Sequence, residues 1–149
     1  MGADVWYFAY GSNLWIDQMA QRTGAIRQGE DGPRMARLAG FRLAFNKKSK
    51  RCKFAANIMC PGDEVVGVVY RCDEDAMRKL DAFEPGYKRE TIRVVLDGGE
   101  TVDAVTYVAK APGDEGKPTE EYLEKIVTGA TQHRLPDEYV EKIEKLAEQ

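Results

Sequence analysis

Histidine is almost absent from this chain: His133 stands alone among 149 residues. A His triad and a two-histidine metal site are thereby excluded, and a serine or cysteine nucleophile has a single imidazole to draw on. Cysteine is scarce and odd in number. Cys52, Cys60 and Cys72 lie at spacings of eight and twelve, without the CxxC pairing that brings two thiolates to one zinc. They read as small apolar residues of strands in a reducing compartment. The apolar run Val5 to Tyr10 is too short for a signal-peptide core or a membrane span, so a cytoplasmic protein with no membrane role is expected. Charge of one sign is lacking as well: 22 Lys plus Arg against 25 Asp plus Glu leave a formal charge of -3, which argues against general nucleic-acid binding. Neither GxGxxG nor a P-loop occurs, and nothing calls for a metal or a nucleotide cofactor. Carboxylates, hydroxyls and backbone groups remain to carry any chemistry.

No internal repeat and no linker-like stretch divides the chain, so residues 1–149 read as one domain. Val5 to Tyr10 suits a strand covered on both faces, cut off by Gly11-Ser12-Asn13. Ser12 or Asn13 is placed to cap a helix carrying Trp15, Ile16 and Met19 and ending at Thr23-Gly24. Short strands are expected over 34–38, 41–46, 54–59 and 65–72, with Pro61-Gly62-Asp63 turning between the last two. Asp73 caps a helix that stops near Phe83, because Pro85 disfavours helical geometry at Glu84. Tyr87 to Leu96 and Thr101 to Ala109 alternate in polarity around Asp97-Gly98-Gly99 and predict a hairpin. Pro118 and Pro136 open two further helices, the first with Tyr122, Ile126 and Val127 on one face and the second with Tyr139, Ile143 and Leu146. The class is α+β with a mostly antiparallel, barrel-like or strongly curved sheet.

Two segments could carry chemistry. Tyr10-Gly11-Ser12-Asn13-Leu14 leaves a buried strand and enters a helix, where a glycine admits a ligand to the backbone and unpaired N–H groups attract an anion. A tight turn with a helix cap is the competing reading. In Leu80 to Tyr87 a carboxylate, Glu84, stands between Phe83 and Tyr87; apolar neighbours raise a carboxyl's pKa toward the range useful for moving protons. An inert, exposed glutamate at a helix end competes with that. Lys47 to Lys53 packs five basic side chains into seven positions, with no aromatic among them for base stacking. It reads as a solvated hairpin tip or as a guide for an anionic substrate. Ser12 has no identifiable base partner, and His133 reads as a surface or packing residue.

Tyr7-Phe8-Ala9-Tyr10-Gly11-Ser12-Asn13-Leu14, then Pro61-Gly62-Asp63-Glu64-Val65 continuing to Tyr70, then Leu80-Asp81 through Glu84 to Gly86, resemble the gamma-glutamylcyclotransferase family in order and spacing. Pro118 to Tyr122, Ile126 to Ala130 and Leu135-Pro136 continue the similarity over nearly the whole chain. The resemblance implies a small mixed, mostly antiparallel barrel with flanking helices. It also implies an enzyme that closes a gamma-glutamyl compound into 5-oxoproline and releases an amine, without metal, nucleotide or organic cofactor. Its single acid/base falls by motif position on Glu84, with Asp81 as the alternative carboxylate. Tyr10, Gly11, Ser12, Asn13 and Leu14 floor the pocket, and Tyr122 matches a ligand-contacting tyrosine of the family. Tyr87 joins them as a wall of the site. One departure stands out: the family has glycine directly after its glutamate, whereas Pro85 intervenes here before Gly86.

Three readings of function stay open on the sequence. The first is a cyclotransferase acting on gamma-glutamyl amino acids or dipeptides, as in glutathione metabolism. The second acts on gamma-glutamylamines or on a gamma-glutamyl-protected biosynthetic intermediate. The third is a non-catalytic module binding a small ligand or nucleic acid on the same fold. A small gamma-glutamyl molecule is the expected partner; a homodimer is compatible with the apolar stripe of the last helix.

Overall fold

The computed structural model describes residues 4–148. In chain order the elements are β1 Val5–Ala9, α1 Ile16–Thr23, β2 Arg34–Ala39, β3 Arg42–Ser49, β4 Lys53–Met59 and β5 Glu64–Cys72, then α2 Glu74–Ala82, β6 Tyr87–Leu96, β7 Thr101–Ala109, α3 Glu120–Gln132 and α4 Asp137–Ala147. Five strands close into a barrel in the order β1-β5-β2-β6-β7. Every pairing in it is antiparallel except the closure, where β1 runs parallel to β7 at Tyr7 and Val105. The expected mixed barrel with flanking helices is thus the fold. Its centre is β5, whose residues Val65 to Tyr70 are buried without interruption, as a valine-rich strand with neighbours on both edges requires. Gly67 is the tight point of that strand, because a Cβ there would strike the Ala9 carbonyl.

The hairpin around Asp97-Gly98-Gly99 forms over the expected residues, and Gly99 takes the left-handed φ of +96° that the turn needs. Asp73 caps α2 through its side chain, accepting from the Ala76 N–H at 2.8 Å. Thr119 does the same for α3, accepting from the Tyr122 N–H, so Pro118 precedes that cap instead of opening the helix.

Three features were left open by the sequence or differ from its expectation. First, β3 and β4 pair only with each other, as a ribbon outside the barrel. Alternating apolar residues define strands but not their neighbours. Second, neither Ser12 nor Asn13 caps a helix. Ser12–Leu14 forms a separate 3-10 turn, α1 starts at Ile16, and the free Ile16 N–H donates to Gln132 Oε1 from α3 at 2.9 Å. Third, only Cys72 is a buried strand cysteine, its thiol pushed up to about 12 by burial. Cys60 lies exposed past the end of β4, and Cys52 sits half-buried in the β3–β4 turn. Among the described residues no helix is long and apolar enough to cross a membrane.

Helix α3 lies directly against the 3-10 turn. At Gly129 a Cβ would run into the Leu14–Trp15 peptide, backbone that cannot swing aside. Helix propensity alone favours alanine over glycine by about 1 kcal/mol. Gly129→Ala is nevertheless expected to destabilise the protein, by about 2 kcal/mol net, because overpacking against backbone outweighs that gain. Urea unfolding of the variant checks the sign.

Candidate active site

Beyond β1 the chain passes through Tyr10 and Gly11 into the 3-10 turn. Two bonds close that turn: Leu14 N–H to Gly11 carbonyl at 3.0 Å and Trp15 N–H to Ser12 carbonyl at 3.1 Å. The N–H groups of Gly11, Ser12 and Asn13 find no acceptor among the described residues. From behind, Tyr70 donates its hydroxyl to the Asn13 carbonyl at 2.9 Å, and His133 Nε2 lies 2.9 Å from the Leu14 carbonyl. His133 is half-buried and its pKa is lowered by that burial, which favours a neutral ring donating Nε2–H to Leu14. The carbonyls are thus tied toward the protein, which leaves the opposite edge of the turn for a ligand.

That edge borders a cavity of about 490 Å³. Glu84 enters it from the junction of α2 and β6. Glu84-Pro85-Gly86-Tyr87 is a β-turn closed by Tyr87 N–H to the Glu84 carbonyl at 3.2 Å, with Gly86 at φ +84°. Proline at the second place and a left-handed glycine at the third define a type II turn. Pro85 therefore serves as a turn residue, and the carboxyl still lines the cavity.

Asn13 joins the two segments. Its amide Nδ2 donates to Glu84 Oε1 at 3.3 Å and to Tyr7 Oη at 3.0 Å, while Oδ1 accepts from Gln18 and Arg22 at 3.1 and 3.2 Å. Arg22 Nη1 stands 3.6 Å from Glu84 Oε1. Burial dominates the carboxyl's behaviour: it raises the pKa from the ordinary 4.5 to about 7, against the opposing charges of Arg22 and Lys47 and the Asn13 bond. Tyr7, Tyr10, Tyr87, Tyr107 and Tyr122 all line the same space. Each has its phenol pKa raised by burial, with the Glu84 charge adding to the shift.

Two of these tyrosines clamp one residue of β4, Ala56, by the peptide groups on either side of it. Tyr87 donates to the Ala56 carbonyl at 2.7 Å, and Tyr122 accepts from the Ala56 N–H at 3.0 Å. The Tyr122 hydroxyl proton is left without an acceptor among the described residues. Gly11 faces the clamp closely: a Cβ there would be 3.2 Å from the Ala56 side chain and 3.4 Å from the Tyr122 oxygen.

Tyr10, Gly11, Ser12, Asn13, Glu84, Tyr87 and Tyr122 thus converge on one cavity. Leu14 does not: its side chain is fully buried and its N–H is already bonded to Gly11, so only its carbonyl network supports the turn. Asp81 is engaged elsewhere. It takes two bonds from Arg89 and one from Tyr107 Oη, and the Arg89 bond holds its carboxyl below the ordinary value. Glu84 is left as the only carboxylate lining the cavity among the described residues. The expected apolar wall is one-sided, since Phe83 is 47% exposed and lies under the Arg22 guanidinium rather than over the acid. Sequence reading missed Tyr7 and Arg22. A tyrosine inside an apolar strand and an arginine in a short amphipathic helix carry no local mark of function. The basic segment Lys47 to Cys52 also borders the cavity, a placement its composition left undecided.

A small mixed barrel with one neutralisable carboxyl opposite a turn of free N–H groups is the class defined by this fold and site. Comparison with known proteins narrows it. Residues 64–143 match the AIG2-like family. Over 148 residues the chain is 32% identical to the gamma-glutamylcyclotransferase of Mus musculus, spanning 92% of this chain and 76% of the mouse protein. A solved gamma-glutamyl cyclotransferase superposes with a TM-score of 0.84 at 30% identity, covering 95% of this chain and 87% of that one. YkqA from Bacillus subtilis gives 0.86 at 26% identity, covering 98% of this chain and 55% of its own. The chain belongs to the gamma-glutamylcyclotransferase family.

A buried acid of raised pKa costs native stability, and the sign is fixed by linkage. Below about pH 4.5 the Glu84 carboxyl is protonated in both folded and unfolded chains. As pH rises from there through 7, the unfolded chain ionises first and the folded state loses stability, by at most about 3 kcal/mol. Glu84→Gln keeps the size and removes the charge. The variant is expected to gain stability over the parent between pH 5 and 8, a difference that denaturant unfolding at the two pH values measures.

Proposed function

We propose that this chain cyclises a gamma-glutamyl amino acid or dipeptide to 5-oxoproline, with Glu84 as base and then acid. The observation that carries the reading is Glu84 itself: the one carboxylate lining the cavity among the described residues, half-buried, 3.3 Å from Asn13 and raised to about 7. The family activity of the relatives supports it.

The substrate's α-amine is the nucleophile. It must first lose a proton, because an ammonium has no lone pair. Transfer from an α-ammonium of about 8 to an ordinary glutamate of about 4.3 is uphill by roughly 5 kcal/mol. With Glu84 at about 7 the gap falls to about one unit, or roughly 1.4 kcal/mol. The amine nitrogen then attacks the γ-carbonyl carbon and a new C–N bond closes the five-membered ring. The amide C–N bond breaks as Glu84 delivers its proton to the departing nitrogen; the ring nitrogen's second surplus proton then passes by way of the freed carboxylate to the released amine, which leaves the neutral lactam and an ammonium. No water is consumed, so a cavity that shields the γ-carbonyl suppresses hydrolysis.

Oxygen charge develops on the γ-carbonyl during attack. In this reading the free N–H groups of Gly11, Ser12 and Asn13 receive that oxygen and the α-carboxylate, each such donor being worth about 3 kcal/mol in comparable sites. The Tyr122 hydroxyl supplies a further donor. Ring closure is intramolecular, so the protein's part is to hold the glutamyl chain curled with the amine near Glu84. The gamma-glutamylamine reading uses the same glutamyl pocket and differs only in the leaving part.

Glu84→Gln is expected to lower the rate of 5-oxoproline release from γ-glutamyl-alanine by about 10³-fold, in line with loss of a general acid–base. Wild-type turnover in that variant overturns the assignment. In the parent, kcat/KM is expected to rise with pH through a midpoint near 7, where Glu84 ionises, and to level off about one unit above it. Arg22→Gln removes the largest opposing charge and should move that rise to higher pH; an unmoved profile counts against Glu84 as the titrating base.

A further inference from the structure

The β3–β4 turn brings an unusual density of positive charge to the cavity. Arg22, Lys47, Lys48, Lys50 and Arg51 line it, against Glu84 as the one acid. Arg22 is held inside by Asn13 and Glu84. The other four belong to β3 and its turn. None of them has a carboxylate within ion-pair distance among the described residues, whereas Arg42, at the far end of the same strand, pairs with Glu115 at 3.0 Å. Other arginines of the barrel, such as Arg34 and Arg89, are likewise paired.

The segment is ordered by local bonds. Register shifts between Phe45 and Lys47, a bulge that re-aims the strand after Asn46. Lys47 Nζ then lies over the Tyr87 ring at 5.3 Å, beside Gly86. Ser49 Oγ accepts from the N–H groups of both Arg51 and Cys52, and the Cys52 carbonyl accepts from Phe54 and Thr119. The chain is therefore fixed where four unpaired cations meet the cavity. A flexible, solvated tip would need none of these ties.

We infer that this rim is a second anion site, which selects gamma-glutamyl compounds whose leaving part carries two negative charges, an acidic amino acid or acidic peptide. The inference rests on the cyclotransferase reading above. If the glutamyl group occupies the turn of residues 11–13 and Glu84, the leaving part is the portion free to reach the rim. A single α-carboxylate answers one cation there; a glutamate or aspartate leaving group answers two or more. A lysine-type leaving amine places its own charge among like charges and is disfavoured.

The test compares kcat/KM for γ-glutamyl-glutamate, γ-glutamyl-alanine and γ-glutamyl-lysine at low salt in the whole protein. The glutamate compound is expected to exceed the alanine compound by about fivefold, the size that one further exposed ion pair of about 1 kcal/mol supplies. Added salt should compress the ratio. The triple variant K48Q/K50Q/R51Q, changed only at exposed positions, should bring the ratio close to one. Equal values in the parent, or a ratio the variant leaves unmoved, overturn this inference while leaving the cyclotransferase reading intact. Turnover of none of the three compounds overturns both.

Discussion

The Asn13 side chain is the constraint on which the site depends. A primary amide has two N–H donors and a carbonyl oxygen with two lone pairs. Here all four are used: Tyr7 of β1 and Glu84 accept, Gln18 and Arg22 of α1 donate. The amide cannot turn over without breaking every one of these bonds at once. Strand, helix and the type II turn are thereby referred to one point, and the carboxyl oxygen keeps a fixed position beside the free N–H groups of its neighbours. A buried network of this kind is rigid because partial satisfaction is so costly.

The barrel contributes Tyr7, Tyr87 and Tyr107 to the cavity but does not enclose it. One wall comes from the ribbon of β3 and β4, which leaves the barrel and returns against it through side chains. Ala56 is the hinge of that contact: both of its peptide groups are taken up by tyrosines, one from β6 and one from α3. Phenols are suited to such work because a rigid ring bridges the distance while the hydroxyl satisfies the backbone. The same rings exclude water around Glu84, so the clamp that attaches the ribbon also sustains the acid's raised proton affinity.

Much of the fold was legible because local signals coincided with tertiary ones. Polarity alternates cleanly through β6 and β7 around a glycine turn, and the strands form over the expected residues. The cap at Asp73 and the stop at Pro85 act within four residues of the helix they bound. The ribbon's separation from the barrel was not legible because hydrophobic alternation reports a strand's faces, not its edges. Ser12 and Asn13 were misread as caps for a related reason. Their side chains are more strongly engaged by partners distant in the chain or the fold, Gln18, Arg22 and Glu84, than by a helix that starts only at Ile16. Glu84, the glycine turn, Tyr87 and Tyr122 were recognisable from motif and neighbours. Tyr7 and Arg22 were not, since their role arises only when β1 and α1 converge on the Asn13 amide.

Glu84 sits near neutrality through opposition, not through burial alone. Desolvation drives its pKa up, and the Arg22 and Lys47 charges draw it back. Burial without those cations would give an acid that holds its proton too tightly to serve as a base at pH 7. The cations without burial would give a carboxylate too weakly basic to take a proton from an ammonium. An anionic leaving part seated on the basic rim changes this balance in a definite direction. It offsets the positive field at the cavity mouth and raises the proton affinity of Glu84 at the moment an ammonium stands beside it. In the proposed reaction the charges that choose the substrate and the charges that set the base therefore form one field. Substrate selection at the rim strengthens proton transfer at the floor.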